Sequence, residues 1–281
     1  MEKLCACRKN SLKDWKKFPG KTEMDNRPIG VMDSGIGGLT VVHSILELCP
    51  RESILYLGDT ARNPYGEKAD SWIMKCGEEL KNFLIARGVK MVVVACNTIT
   101  FHEPPLFYQD TVPVIGMSTD YSSAGAARKV GIFATPASIR THAHKKALQS
   151  VWPDMETAEV PCEGLAHAIE SGEGRAVLKN MLEEAVYQYD AGDIDMILFG
   201  CTHYPLIEDL FRELFPSAVF FDPGAVTAER ASGILKTCHM EADGDGESHF
   251  CFTKKSEQES CLIKKFLHRK EKAEEIRIAG E

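Results

Sequence analysis

The stretch Met91-Val92-Val93-Val94-Ala95-Cys96-Asn97-Thr98 decides the fold. Its first five residues are apolar without alternation, the pattern of a strand covered on both faces, as strands are in a parallel sheet. A cysteine and two polar residues follow. The same order returns in Ile197-Leu198-Phe199-Gly200-Cys201-Thr202-His203. Two similar domains facing each other, each offering one cysteine at a strand tip, account for the echo. Around these segments, apolar runs at 28–32, 53–57, 112–116 and 130–134 predict further strands, and 39–48, 71–86, 138–148, 173–189 and 227–236 read as helices. Gly88 suits a helix stop. Strands alternating with helices give an α/β fold of parallel sheets flanked by helices. In such folds ligands bind beyond the carboxyl ends of the strands, so the residues that matter are those just after each run.

A cysteine that ends a strand and opens a helix sits among free amide N–H groups at the positive end of the helix dipole. That environment draws a thiol, ordinarily titrating near about 8.5, toward thiolate. Asn97, Thr98 and Thr202 are suited to hold a substrate carboxylate, and His203 is placed to shuttle the Cys201 proton. One cysteine at a strand end is more often a small core residue; the repetition with polar followers brings the two readings level. The loop Asp33-Ser34-Gly35-Ile36-Gly37-Gly38 follows the first strand. Its glycines let backbone N–H groups approach an anion, or merely serve a tight turn with positive φ. It is neither G-x-G-x-x-G nor a P-loop, which disfavours nucleotide binding. Asp33, an acid beside such a cradle, suits a proton acceptor or orienter. In the loop 58–66, Tyr65 and Gly66 can offer a hydroxyl and backbone amides, although a Pro/Gly-containing loop is more often plain surface.

The 281 residues make one large or two ordinary domains, and a net charge of −8 speaks against general attraction to nucleic acid. No apolar run approaches the roughly 18 residues of a membrane span, and the N-terminus lacks the apolar centre of a secretory signal; a cytoplasmic protein is expected. Residues 1–27 carry eight Lys/Arg and four acidic residues with little periodicity, and are expected to be a poorly ordered extension, with Met24 a candidate native start. Ten cysteines without a C-x-x-C pair fit neither a disulfide framework, a zinc ribbon nor a thioredoxin motif.

Taken together, DSGIGGLTV (33–41), GDTARNPYGEK (58–68), VVVACNT (92–98), VIG (114–116) and GCTHYP (200–205) resemble the glutamate racemases, and VGIFATPASIRTHAHKKAL (130–148) is similar to the start of that family's second domain. The resemblance spans roughly 28–270. It implies two pseudo-symmetric α/β domains, here 28–121 with 228–281 and 122–227, and an active site in the cleft between them. It implies catalysis with no cofactor and no metal. Residue by residue, Cys96 and Cys201 match the acid/base cysteines. Asp33 and His203 match the groups that assist them, and Ser34, Tyr65, Gly66, Asn97, Thr98 and Thr202 match substrate-binding positions, together with Asp33 and His203. Glu170 matches, more loosely, a glutamate near the catalytic histidine. The chain departs from the family at Phe101-His102-Glu103-Pro104-Pro105, where paired prolines are expected to end the helix after Cys96 early. It departs again at Ile115-Gly116-Met117-Ser118-Thr119-Asp120.

The expected activity is interconversion of L- and D-glutamate, supplying D-glutamate for peptidoglycan. The expected partner is that small-molecule substrate, with no nucleic acid and no membrane, and a homodimer stays open. Two alternatives stand beside it. One is a racemase of aspartate or another acidic amino acid. The other is a non-catalytic thiol, metal-binding or amino-acid-binding protein built on Cys96, Cys201 and His203.

Overall fold

The computed structural model describes residues 24–125, 127–255, 257–266 and 271–278. The extension read at 1–27 therefore lies, up to residue 23, outside the described residues. Its last part is not loose: the Asp25 N–H donates to the Glu241 carbonyl at 3.1 Å, and the Lys90 ammonium donates to the Asp25 carbonyl at 2.6 Å. Buried Lys90 also pairs with Glu52 at 2.5 Å. A sequence-local reading misses this because the partners come from distant strands and turns.

Two sheets, parallel throughout, carry the chain. The first takes β1 (Ile29–Asp33), β2 (Ile54–Gly58), β3 (Met91–Val94) and β4 (Val114–Gly116), then β9 (Ser248–Phe252) and β10 (Glu271–Glu275), in the order β10-β9-β2-β1-β3-β4. The second takes β5 (Lys129–Ala134), β6 (Glu156–Pro161), β7 (Met196–Gly200) and β8 (Val219–Phe221), in the order β6-β5-β7-β8. The central strands β1, β2, β3 and β7 are buried at every residue. This matches their uninterrupted apolar composition.

Helices cover both faces of each sheet. On the first, α1 (Leu39–Leu48) packs against α9 (Pro223–Cys238) across a core containing Val31, Val41, Ile45, Ala231 and Leu235. The opposite face packs under α2 (Asp70–Ala86) through Ile73, Leu80 and Leu84. Helix α9 runs unbroken through residue 228, where the sequence reading placed the return to the first domain. On the second sheet, α6 (Leu165–Glu170), α7 (Arg175–Gln188) and α8 (Glu208–Leu214) bury Phe133, Phe199 and Phe211. Phe211 stands 5.1 Å from both other rings, edge-on to each. Phe211→Ala is expected to cost about 3–5 kcal/mol, the usual range for truncating a core phenylalanine, read as a lower urea midpoint at unchanged slope.

Several expectations shift in detail. The helix expected at 138–148 is two: α4 (Pro136–Thr141) and α5 (Ala143–Val151), broken at His142, whose φ of 52° is left-handed. Pro136 supplies the fixed φ of a first helical turn, so α4 starts earlier than the apolar pattern suggests. The helix after Cys96, α3 (Asn97–His102), has six residues and stops at Glu103. Pro104 and Pro105 follow and a 3-10 turn over Pro105–Tyr108 takes over, as paired prolines dictate.

Candidate active site

Strand order locates the cleft. β1 lies between β2 and β3, and β5 lies between β6 and β7, so in each sheet the chain reverses its winding at the central strand. Crevices open beyond the carboxyl ends at such points. Beyond β1 and β3 stand Ser34 and Cys96; beyond β5 and β7 stand Thr135 and Cys201. The sequence echo is thus a structural equivalence: Cys96 relates to β1 as Cys201 relates to β5. The small residue before each cysteine has a packing reason in the second sheet, where a Cβ on Gly200 would fall 2.7 Å from Ala134 Cβ.

On the first side, Cys96 is buried and its Sγ lies 3.5 Å from Ser34 Oγ. Ser34 Oγ also donates to Asp33 Oδ1 at 3.1 Å. Burial pushes the Cys96 thiol up to about 12, the Asp33 charge adds to it, and the Ser34 hydroxyl and Ile99 N–H only partly offset this. The pull toward thiolate expected from the helix start is therefore opposed: a buried site beside a carboxylate favours the thiol. Asp33 itself is fully buried. Burial raises its carboxyl, with Glu170 adding and His203 opposing.

On the second side, Cys201 Sγ lies 3.7 Å from His203 Nδ1, and His203 Nε2 meets Glu170 Oε2 at 2.5 Å. Burial works against charge on His203, but hydrogen bonds to Cys201 and Glu170 outweigh it and raise the imidazole well above its ordinary range. The two sides interlock. Thr202 Oγ1 donates to Asp33 Oδ2 at 3.2 Å, and the Ile36 N–H donates to Glu170 Oε2 at 3.1 Å. The glycine loop thus does cradle an anion, and that anion is the protein's own Glu170. Its glycines serve close approach, since none of Gly35, Gly37 and Gly38 has a positive φ. A Cβ on Gly37 would stand 2.5 Å from His203 Nδ1 and 2.6 Å from Thr202 Oγ1. Gly37→Ala is accordingly expected to displace His203 and lower kcat/KM about tenfold or more, an overpacking effect of about 1–3 kcal/mol. Steady-state kinetics checks it, and an unchanged kcat/KM would remove the argument.

The sequence-predicted Ser34, Tyr65, Gly66, Cys96, Asn97, Thr98, Cys201, Thr202 and His203 all line one cleft between the sheets, with Asp33 and Glu170 bonded to its wall. Asn97 is buried, yet neither end of its side-chain amide has a partner. An orphaned buried amide is costly and suits a ligand-binding group. Thr98 Oγ1 reaches Thr135 Oγ1 at 3.0 Å across the sheets. Tyr65 spends its hydroxyl on Asp59 Oδ2, so it lines the cleft without a free donor. Asp59 is a hub that the sequence reading passed over: it also accepts from Arg62 Nε at 2.5 Å and Thr253 Oγ1 at 2.8 Å, anchoring the loop. Thr135 and Asn63 also escaped notice, one as an N-cap and the other inside a loop whose tip alone attracted attention. A polar residue directly after an apolar strand was the available signal for Thr135.

The eight described cysteines are free, and among the described residues no three His, Cys, Asp or Glu side chains are grouped to hold a metal ion. Among the same residues, no helix is long and apolar enough to cross a membrane.

Comparison with known proteins agrees with this geometry. The family model described as Asp/Glu/Hydantoin racemase matches residues 29–231. A glutamate racemase of Lactococcus lactis subsp. cremoris (strain SK11) is 35% identical over 236 residues, covering 82% of this chain and 87% of its own. The crystal structure of a glutamate racemase from Bacillus anthracis superposes with a TM-score of 0.81 at 28% identity, over 92% of this chain and 100% of that one. That of Francisella tularensis subsp. tularensis SCHU S4, in complex with D-glutamate, gives 0.81 at 30% identity with the same coverage.

Proposed function

The chain belongs to the Asp/Glu/hydantoin racemase family, and from that premise we propose that it interconverts L- and D-glutamate by a two-base mechanism that uses no cofactor. The observation that carries the reading is the pair of thiols. Cys96 and Cys201 come from equivalent strand tips of the two sheets, line one cleft, and have separate polar partners.

Racemisation breaks the α C–H bond on one face and makes a new one on the other. One thiolate takes the α-proton, its electron pair stays on the α-carbon beside the carboxylate, and the opposite thiol returns a proton. The thiols exchange roles when direction reverses. Cys96, held as a thiol by burial and Asp33, is ready to donate. The positive ammonium of a bound amino acid offsets the Asp33 charge and eases its ionisation for the reverse direction. His203, paired with Glu170, manages the proton of Cys201. Ser34, Asn97, Thr98 and Thr202, with the backbone at Tyr65 and Gly66, bind the carboxylates. Most of the rate comes from such fixed donors around the developing carbanion.

Relatives named glutamate racemase favour glutamate over aspartate. The reading extends to a supply of D-glutamate for peptidoglycan, a cytoplasmic location, and two lobes, 28–121 with 228–281 and 122–227, closing on the substrate. A homodimer is compatible with it. The test is racemisation of L-glutamate by the purified full chain without additives, followed by optical rotation, with aspartate in parallel. In D₂O the product should carry deuterium at the α-carbon. No turnover of glutamate, or faster turnover of aspartate, would sink the assignment.

A further inference from the structure

Two polar atoms beside the cleft, on different segments, share an arrangement that the scheme above does not use. Glu170 meets His203 and the Ile36 N–H through Oε2, while its Oε1 is buried without a hydrogen-bond partner. Asn63, on the opposite wall, has its Nδ2 buried and equally unpartnered. These orphans face one gap. A Cβ built on Gly35 would stand 2.4 Å from Asn63 Nδ2 and 2.5 Å from Glu170 Oε1, and only a glycine leaves that space open. An orphan donor and an orphan carboxylate oxygen beside the same point are separated by a small adjustment, and leaving both unmade is unfavourable. They belong to different sides of the cleft: Asn63 to the loop after β2, Glu170 to the end of α6.

We propose that Asn63 is a positioning residue for Glu170, its Nδ2 donating to Glu170 Oε1 as the two lobes draw together on the substrate. The bond fixes the carboxylate that holds His203, and through it the line Glu170–His203–Cys201. It also sets the strength of that carboxylate: a donor on Oε1 stabilises the anion and reduces its pull on the His203 proton. The substrate-closed form therefore releases the proton of the His203–Cys201 pair more readily than the open form. The charged and titratable groups facing His203 are Glu170, Cys201 and Asp33, and Asn63 acts on the first of them. The kinetic part rests on the racemase reading above.

The test uses the full chain with Asn63→Asp and Asn63→Ala. Aspartate has the shape of asparagine but replaces the donor with a second carboxylate beside Glu170, so packing and donation are separated. Both variants should lower kcat for glutamate about tenfold or more, Asp at least as much as Ala, with KM changing less than about threefold. Independently of activity, the His203 ring followed by ¹⁵N NMR should lose its proton at higher pH in Asn63→Asp than in the unaltered protein, because a like charge has joined Glu170. Unaltered kcat together with an unshifted His203 titration would overturn the proposal. If the unaltered protein fails to racemise glutamate, the functional reading falls, while the His203 titration still decides whether Asn63 acts on Glu170.

Discussion

Cys96→Ser and Cys201→Ser should each reduce glutamate racemisation about 10²–10⁴-fold, the range associated with losing one positioned acid or base. Serine keeps the size and a hydroxyl, so the cleft persists; what is lost is the thiol, which gives up its proton far more readily than an alcohol in the same place. Both thiols act in every turnover, one taking and one giving, so neither substitution can be spared by the other. Solution equilibrium between enantiomers is unity, and kcat/KM must therefore fall equally in both directions. The asymmetry appears instead in isotope exchange. Each variant retains one thiol facing one side of the α-carbon. In D₂O it should still exchange the α-proton of a single enantiomer without inverting it, and the two variants should choose opposite enantiomers. Proton NMR of recovered glutamate reads this directly. Full racemase activity in either variant, or exchange of both enantiomers by each, would refute the two-base assignment.

What made the site legible was that strand tips in parallel sheets are where ligands bind, and each strand tip carries a run of chemically informative residues. Cys96-Asn97-Thr98 and Cys201-Thr202-His203 could be placed from hydropathy alone because β3 and β7 are apolar from end to end. Elements with mixed faces were not legible. β6 is exposed or half-buried at most positions, so its composition carries no strand signal, and β8 has three residues. The helix break at His142 escaped because a left-handed non-glycine residue has no local signature. The surroundings of Cys96 are not legible for a different reason. Helix-start electrostatics is local and readable from sequence, whereas the burial and the Asp33 charge that override it arise from chain segments far apart. Likewise, the anion that the glycine loop holds is Glu170, 134 positions from Ile36, and no spacing rule reaches that far.

Glu170→Gln is expected to have the second-largest effect, and its sign with pH follows from the state of His203. Burial disfavours the imidazolium, and the hydrogen bonds and negative charge of Cys201 and Glu170 reverse that preference, so His203 titrates well above its ordinary value in the folded protein. A folded value raised above the unfolded one, about 6.5, contributes stability that is fully present below pH 6.5 and is lost as pH rises through the folded value. Glutamine keeps the shape of Glu170 but removes the charge that His203 Nε2 meets at 2.5 Å. Desolvation is then opposed by Cys201 alone, and the imidazole shifts toward its neutral form. Breaking a buried pair in this way costs about 3–5 kcal/mol. Urea unfolding should therefore show the largest gap between variant and unaltered protein near pH 6, narrowing in alkaline buffer. Activity should follow the same group. With His203 less often charged, the proton of Cys201 is no longer managed, and kcat should fall about 10²-fold while KM, set mainly by the carboxylate-binding donors, moves little. A stability gap that does not change with pH, joined to an unchanged kcat, would show that Glu170 fills space beside His203 without holding its charge.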